Sequence, residues 1–175
     1  MYINHATQAE LTEAFAATRM AGPLFHQFCA LPVCEKMQPE ECMQLFHCFD
    51  VVAVSAGEVI YEADSKSDNT IRLIVEGRAE VSSSLMSIYG HLGAGDLFGL
   101  FSFLDEDRLH SGTVKAESDM ILLCINRDYF NLITVEDAKL GNLLLRSMFR
   151  LLSHMSLKME NEYVAMRHYI AGRHG

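Results

Sequence analysis

Apolar residues recur at helical spacing near both ends of the chain and at two-residue spacing through its middle. From Thr7 to about Met20, Leu11, Ala14, Phe15 and Thr18 fall on one helical face, and Ala21, Gly22 and Pro23 end the run. A second segment, Leu24 to about Leu31, stops at Pro32. A third begins after Gln38, with Pro39 in its first turn and Glu40 and Glu41 near the positive end of its dipole. Its buried face is predicted as Met43, Leu45, Phe46 and Phe49. After Asp50 the texture changes to short runs rich in β-branched residues: VVAVSAG, EVIYEA, TIRLIVEG, RAEVSSS, MSIYGHLGAG, TVKAES and MILLCIN. Ile71, Leu73 and Val75 alternate with Thr70, Arg72 and Ile74, which predicts a half-buried strand, and Gly77 predicts a tight turn into the strand starting at Arg78. Strand length and turn spacing fit a jelly roll.

From Arg127 the helical pattern returns, first in RDYFNLI and then from about Glu136 to Ile170 without a proline. Leu145, Leu152, Met159 and Met166 repeat with period seven, and Met148, Met155, Glu162 and Tyr169 form a companion series offset by three. That is an a/d seam with one polar interruption, Glu162. It predicts a homodimer joined through Leu145, Met148, Leu152, Met155, Met159 and Met166. Leu140, Leu143, Leu144, Leu151 and Leu157 lie outside the seam and offer a second face to the barrel. The organisation predicted is an N-terminal helical segment over 1–37, a mainly β jelly-roll barrel (double-stranded β-helix) over 38–135, and a long C-terminal dimerisation helix over 136–175.

Composition adds exclusions. Half the residues are apolar, 21% are charged and only 3 are proline, so most of the chain is expected to fold. With 14 Lys+Arg against 23 Asp+Glu the net charge is −9, which argues against direct DNA binding. No apolar run is long enough to span a bilayer, the N-terminus lacks a signal-peptide layout, and the 5 cysteines suit a reducing compartment. A cytoplasmic protein without a membrane partner is expected.

Landmark glycines carry a resemblance. Ser55-Ala56-Gly57-Glu58-Val59-Ile60, Ile74-Val75-Glu76-Gly77-Arg78-Ala79-Glu80-Val81 and Gly95-Asp96-Leu97-Phe98-Gly99 occur in the order found in cyclic nucleotide-binding domains. Over about residues 38 to 170 the chain resembles that family, including the sensory half of catabolite-activator and fumarate-nitrate regulator transcription factors. The resemblance implies a cyclic nucleotide-binding-like fold and a phosphate-binding cassette beginning Phe-Gly-Glu and ending Arg-Ala-(Ala or Ser)-Thr-Val. In the family the arginine neutralises the cyclic phosphate and the glutamate accepts from the ribose hydroxyl. Carried onto this chain, the cassette comprises Phe98, Gly99, Leu100, Phe101, Ser102, Arg108, His110, Ser111 and Thr113. Counting back from Thr113-Val114 puts His110 at the arginine position, and Leu100 follows Phe98-Gly99 where the glutamate belongs. At roughly 1.5–3 kcal/mol per charge-assisted hydrogen bond, losing both contacts weakens cAMP or cGMP binding by about 10²–10⁴-fold. Asp105-Glu106-Asp107 adds repulsion toward an anion, whereas Arg108, on the same face of an extended segment, could carry a rebuilt phosphate contact. His110 is either a protonatable anion contact or a polar residue at the pocket mouth.

Other chemistries fit less well. Cys29, Cys34, Cys42 and Cys48 precede the barrel without the C-x₂-C pair of an iron–sulfur site, and His91 and His110 do not make the H-x-H pair of a cupin metal site. No nucleophile elbow or Walker loop is present, so no enzyme is expected, no cofactor is assigned, and a nucleotide-type ligand or another anion is the candidate small molecule. The expected function is a dimeric regulatory domain with altered or lost cyclic nucleotide binding that signals to a protein partner. The alternatives are a ligand-free dimeric adaptor, with Leu100, Phe101 and Phe103 filling the pocket, and a redox sensor using the N-terminal cysteines.

Overall fold

A computed structural model describes residues 22–83, 88–105 and 107–171; the helix expected over residues 7–20 lies outside the described residues. Helix α1, Pro23–Cys29, starts with proline in its first turn, and a 3₁₀ turn, Pro32–Cys34, follows. Helix α2, Pro39–His47, opens with the Gln38 N–H donating to Glu41 Oε2 at 3.0 Å. Its buried face is Cys42, Leu45 and Phe46, with Phe49 just beyond it; Met43, expected on that face, is only half-buried.

Eight strands follow among the described residues: β1 Asp50–Val54, β2 Val59–Tyr61, β3 Thr70–Glu76, β4 Ala79–Ser82, β5 Ile88–Leu92, β6 Leu97–Phe98, β7 Thr113–Ala116 and β8 Met120–Asn126. They form two antiparallel four-stranded sheets, ordered β1-β8-β3-β6 and β2-β7-β4-β5. This is the jelly roll with flanking helices that the runs predict, β6 being too short to show periodicity. The β3–β4 turn depends on Gly77, at φ +92°, where an added Cβ would meet the Asp119 carbonyl at 2.4 Å.

The central strands of the first sheet, β3 and β8, are buried on both faces while β1 at its edge is mostly exposed, which corrects the half-buried reading of β3. Ile71, Leu73 and Val75 face a core shared with the helices, whereas Ile74 faces the barrel interior beside Leu122 and Phe98. The two-residue alternation therefore separates one core from another, and Arg72, in phase with Ile74, is a buried cation.

A short helix α3, Leu100–Leu104, leaves β6. Helix α4, Arg127–Glu136, follows β8, and helix α5, Ala138–Ala171, follows α4. Asp137 breaks the two apart, its Oδ1 accepting the N–H groups of Lys139 and Leu140. Leu143, Leu144, Met148 and Leu151 of α5 enter the helix-side core, and Met155 packs against it. That corrects the predicted seam: Met148 is buried within its own protomer and cannot face a second copy. Leu145, Met159 and Met166 are exposed and Leu152 is half-buried, so the outward companion series is offset by four: Phe149, Ser156, Tyr163 and Ile170.

Candidate ligand-binding site

The cassette is built where β6 turns into α3. Gly99 makes the turn at φ +83°, and a Cβ there would lie 2.4 Å from the Thr70 carbonyl oxygen of β3. The glycine thus lets the cassette backbone press against the neighbouring strand. Arg127, the first residue of α4, holds the other end: its Nε donates to Phe103 O at 2.6 Å and its Nη2 to Ser102 O at 2.8 Å. These are charge-assisted bonds from a buried guanidinium to the helix's C-terminal carbonyls.

The expected cassette residues divide into two groups. Phe98, Ser102 and His110 are buried. Ser102 Oγ donates to Gly99 O at 3.2 Å and lies 3.4 Å from His110 Nδ1. Thr113 Oγ1 accepts the Ala63 N–H at 2.9 Å. By contrast Phe101, Arg108 and Ser111 are exposed, and the Arg108 guanidinium lies 5.3 Å from the Phe101 ring centroid. Arg108 is therefore not on the face of His110, contrary to the expectation for an extended segment. Leu100 is half-buried and packs on the helix-side core, where Phe103 meets Phe130 edge-on. Neither Leu100, Phe101 nor Phe103 fills the barrel, as the adaptor alternative required.

His110, which the resemblance puts at the arginine position, is only 4% exposed, so it is not a residue at a pocket mouth. Its ring stacks on Tyr61 with centroids 3.7 Å apart and planes 6° apart. Its backbone is tied to the β2–β3 loop, accepting from the Asp64 N–H at 2.8 Å and donating to Ser65 O at 3.0 Å.

A guanidinium does reach this place, from β3. Arg72 lies 5.7 Å from the Tyr61 centroid, and its Nη1 donates to Thr70 O at 3.1 Å. Its Nη1 and Nη2 also bond Asp68 Oδ1 and Oδ2, a bidentate fork. Burial would raise the Asp68 carboxyl, but Arg72 with the Thr70 N–H and His110 outweighs it and holds it below the usual carboxylate range. Burial lowers the His110 pKa, opposed by Asp68 and assisted by Arg72, so the ring stays neutral near pH 7. Arg72, Asp68 and Tyr61 were missed in the sequence. The available signal was Ile74, an apolar residue sharing the phase of Arg72.

Beside Arg72 a cleft of about 380 Å³ opens into the barrel, lined by Val52, Val54, Glu58, Ile60, Thr70 and Leu122 among others. Burial pushes the thiols of Cys29, Cys34 and Cys48 up, Cys48 to about 11. Thiolate is then scarce near neutral pH, which weighs against a cysteine redox role. Among the described residues no three His, Cys, Asp or Glu side chains are placed to hold a metal ion, and no helix is long and apolar enough to cross a membrane.

Residues 51–137 match the family described as cyclic nucleotide-binding domain. This barrel is a member of that family. A cyclic nucleotide-binding domain from Methylobacillus flagellatus shares its fold at a TM-score of 0.66 and 20% identity, over 81% of this chain and 83% of that one. The Thermus thermophilus catabolite activator protein gives 0.59 and 21%, over 78% of this chain and 63% of that one. The regulatory subunit of a cAMP-independent protein kinase A from Trypanosoma brucei gives 0.62 and 18%, over 87% of this chain and 51% of that one. At such identities the likeness is one of fold. No curated protein matches the chain in sequence.

Proposed function

We propose that this protein is a non-enzymatic regulatory domain of the cytoplasm that does not respond to cAMP or cGMP, dimerises through its long helix and signals to a protein partner. The observation that carries the reading is the buried stack of His110 on Tyr61, which puts a neutral ring where the family places its phosphate-neutralising charge. Calorimetric titration with cAMP and cGMP up to millimolar concentration is expected to register no binding, and a micromolar dissociation constant for either would refute the reading.

The route to the helix is supported by Lys158, whose Nζ donates to Asp96 Oδ2 at 2.7 Å. Asp96 is buried, and the same oxygen accepts the Gly93 N–H at 2.8 Å in the turn that leads into the cassette. A shift of the cassette would therefore pull on the helix. Besides this tether, the outward seam is Leu145, Phe149, Leu152, Ser156, Met159, Tyr163, Met166 and Ile170 at alternating four- and three-residue spacing, apolar except at Ser156, which suits a second copy of the same helix. The 34-residue helix is about 50 Å long, and past Lys158 its residues to Ile170 are exposed. The double variant Met159→Glu/Met166→Glu is expected to sediment as a monomer with the barrel folded; unchanged dimer mass would remove the seam from the account.

A further inference from the structure

Within the reading that the barrel takes no cyclic nucleotide, we propose that Arg72 is the receptor of a different ligand, a small monocarboxylate with an apolar body, and that Asp68 is a built-in competitor occupying its place. Arg72 is fixed on a central strand, buried and directed into the barrel. A buried cation needs an anion. The anion it has comes from the loop between β2 and β3 and has a half-exposed side chain, so the cation belongs to the scaffold and its counterion to a strap.

Three features define what could replace the strap's carboxylate. The fork engages both oxygens of one carboxylate, which suits a planar anion held edge-on. The cleft beside Arg72 is walled by Val52, Val54, Ile60 and Leu122, an apolar surface for the rest of the molecule. Asp50 and Glu58 line the same cleft, which penalises a dianionic phosphate more than a single carboxylate. The strap also has a fault of its own. Asn69, next to Asp68, sits in the left-handed region at φ 54°, and its buried Oδ1 has no hydrogen-bond partner. The closed arrangement is thus poised to open.

The test uses Asp68→Ala in the full chain, with acetate and hexanoate as probes, inorganic phosphate as the competing anion and sodium chloride at matched ionic strength. Hexanoate is expected to raise the melting temperature of Asp68→Ala saturably, with a half-saturating concentration about tenfold or more below that of acetate and below that found in the wild type. The response should vanish in Asp68→Ala/Arg72→Met. If Asp68→Ala does not fold, Asp68→Asn is used, which keeps an acceptor for the Thr70 N–H. Equal responses in variant and wild type, or persistence without Arg72, would overturn the site and leave a ligand-free adaptor. Phosphate acting more tightly than hexanoate would overturn the carboxylate assignment. Micromolar cAMP binding by the wild type would instead overturn the proposed function without altering the hexanoate result.

Discussion

The two faces of the first sheet follow different rules. Toward the helices, Ile71, Leu73, Leu123 and Ile125 meet Phe28, Leu45, Phe46 and Leu144 in a core of apolar side chains. Toward the barrel interior, the same strands present Ile74 and Leu122 but also Arg72, facing Tyr61 and His110. One face holds the fold together by burial, whereas the other keeps a charge inside at the cost of its hydration. The difference leaves a buried charge on the barrel side and apolar packing on the helix side, and it can be broken from either side.

The largest effect is expected from the helix face. Phe28→Ala, at a fully buried ring, should cost about 3–5 kcal/mol in a denaturant melt. On the interior face the order of the two charge variants is diagnostic. Asp68→Ala strands a buried guanidinium and should cost about 1–3 kcal/mol, whereas Arg72→Met frees a half-exposed carboxylate to water and should cost less. The reverse order would mean that Arg72 matters for packing rather than as a buried charge. A smaller effect should come from pH. Because the folded state lowers the His110 pKa, the contribution of the neutral ring is complete above the unfolded value of about 6.5 and is lost as pH falls through the folded value. Wild-type stability should therefore fall relative to His110→Gln as pH drops below about 6.5, and parallel curves would place the ring in water. Asp68 acts in a separate, lower window: its lowered pKa gives a contribution that is lost only in acid.

How legible this was depended on whether local pattern and burial coincide. The β runs, Gly77, Gly99 and the proline-started helices were readable because turn chemistry is local, and residues 51–137 match the family that the landmark glycines suggested. The absence of arginine at position 110 was equally plain. The place of Arg72 beside Tyr61 was not readable, because a guanidinium on β3 approaches the cassette only through pairing of strands distant in sequence. The same limit misassigned the long helix. A period of seven fits companion series offset by three or by four, and only docking on the barrel, which buries Met148, selects the second.

The central claim, that a neutral histidine closed on Tyr61 has replaced the family's anion grip, is tested most directly by a crystal structure determined at saturating cAMP. The stack is expected unchanged, with His110 still against Tyr61 and Asp68 still on Arg72. A nucleotide seated at Gly99, with the His110 ring swung out and its phosphate on Arg72, would contradict it.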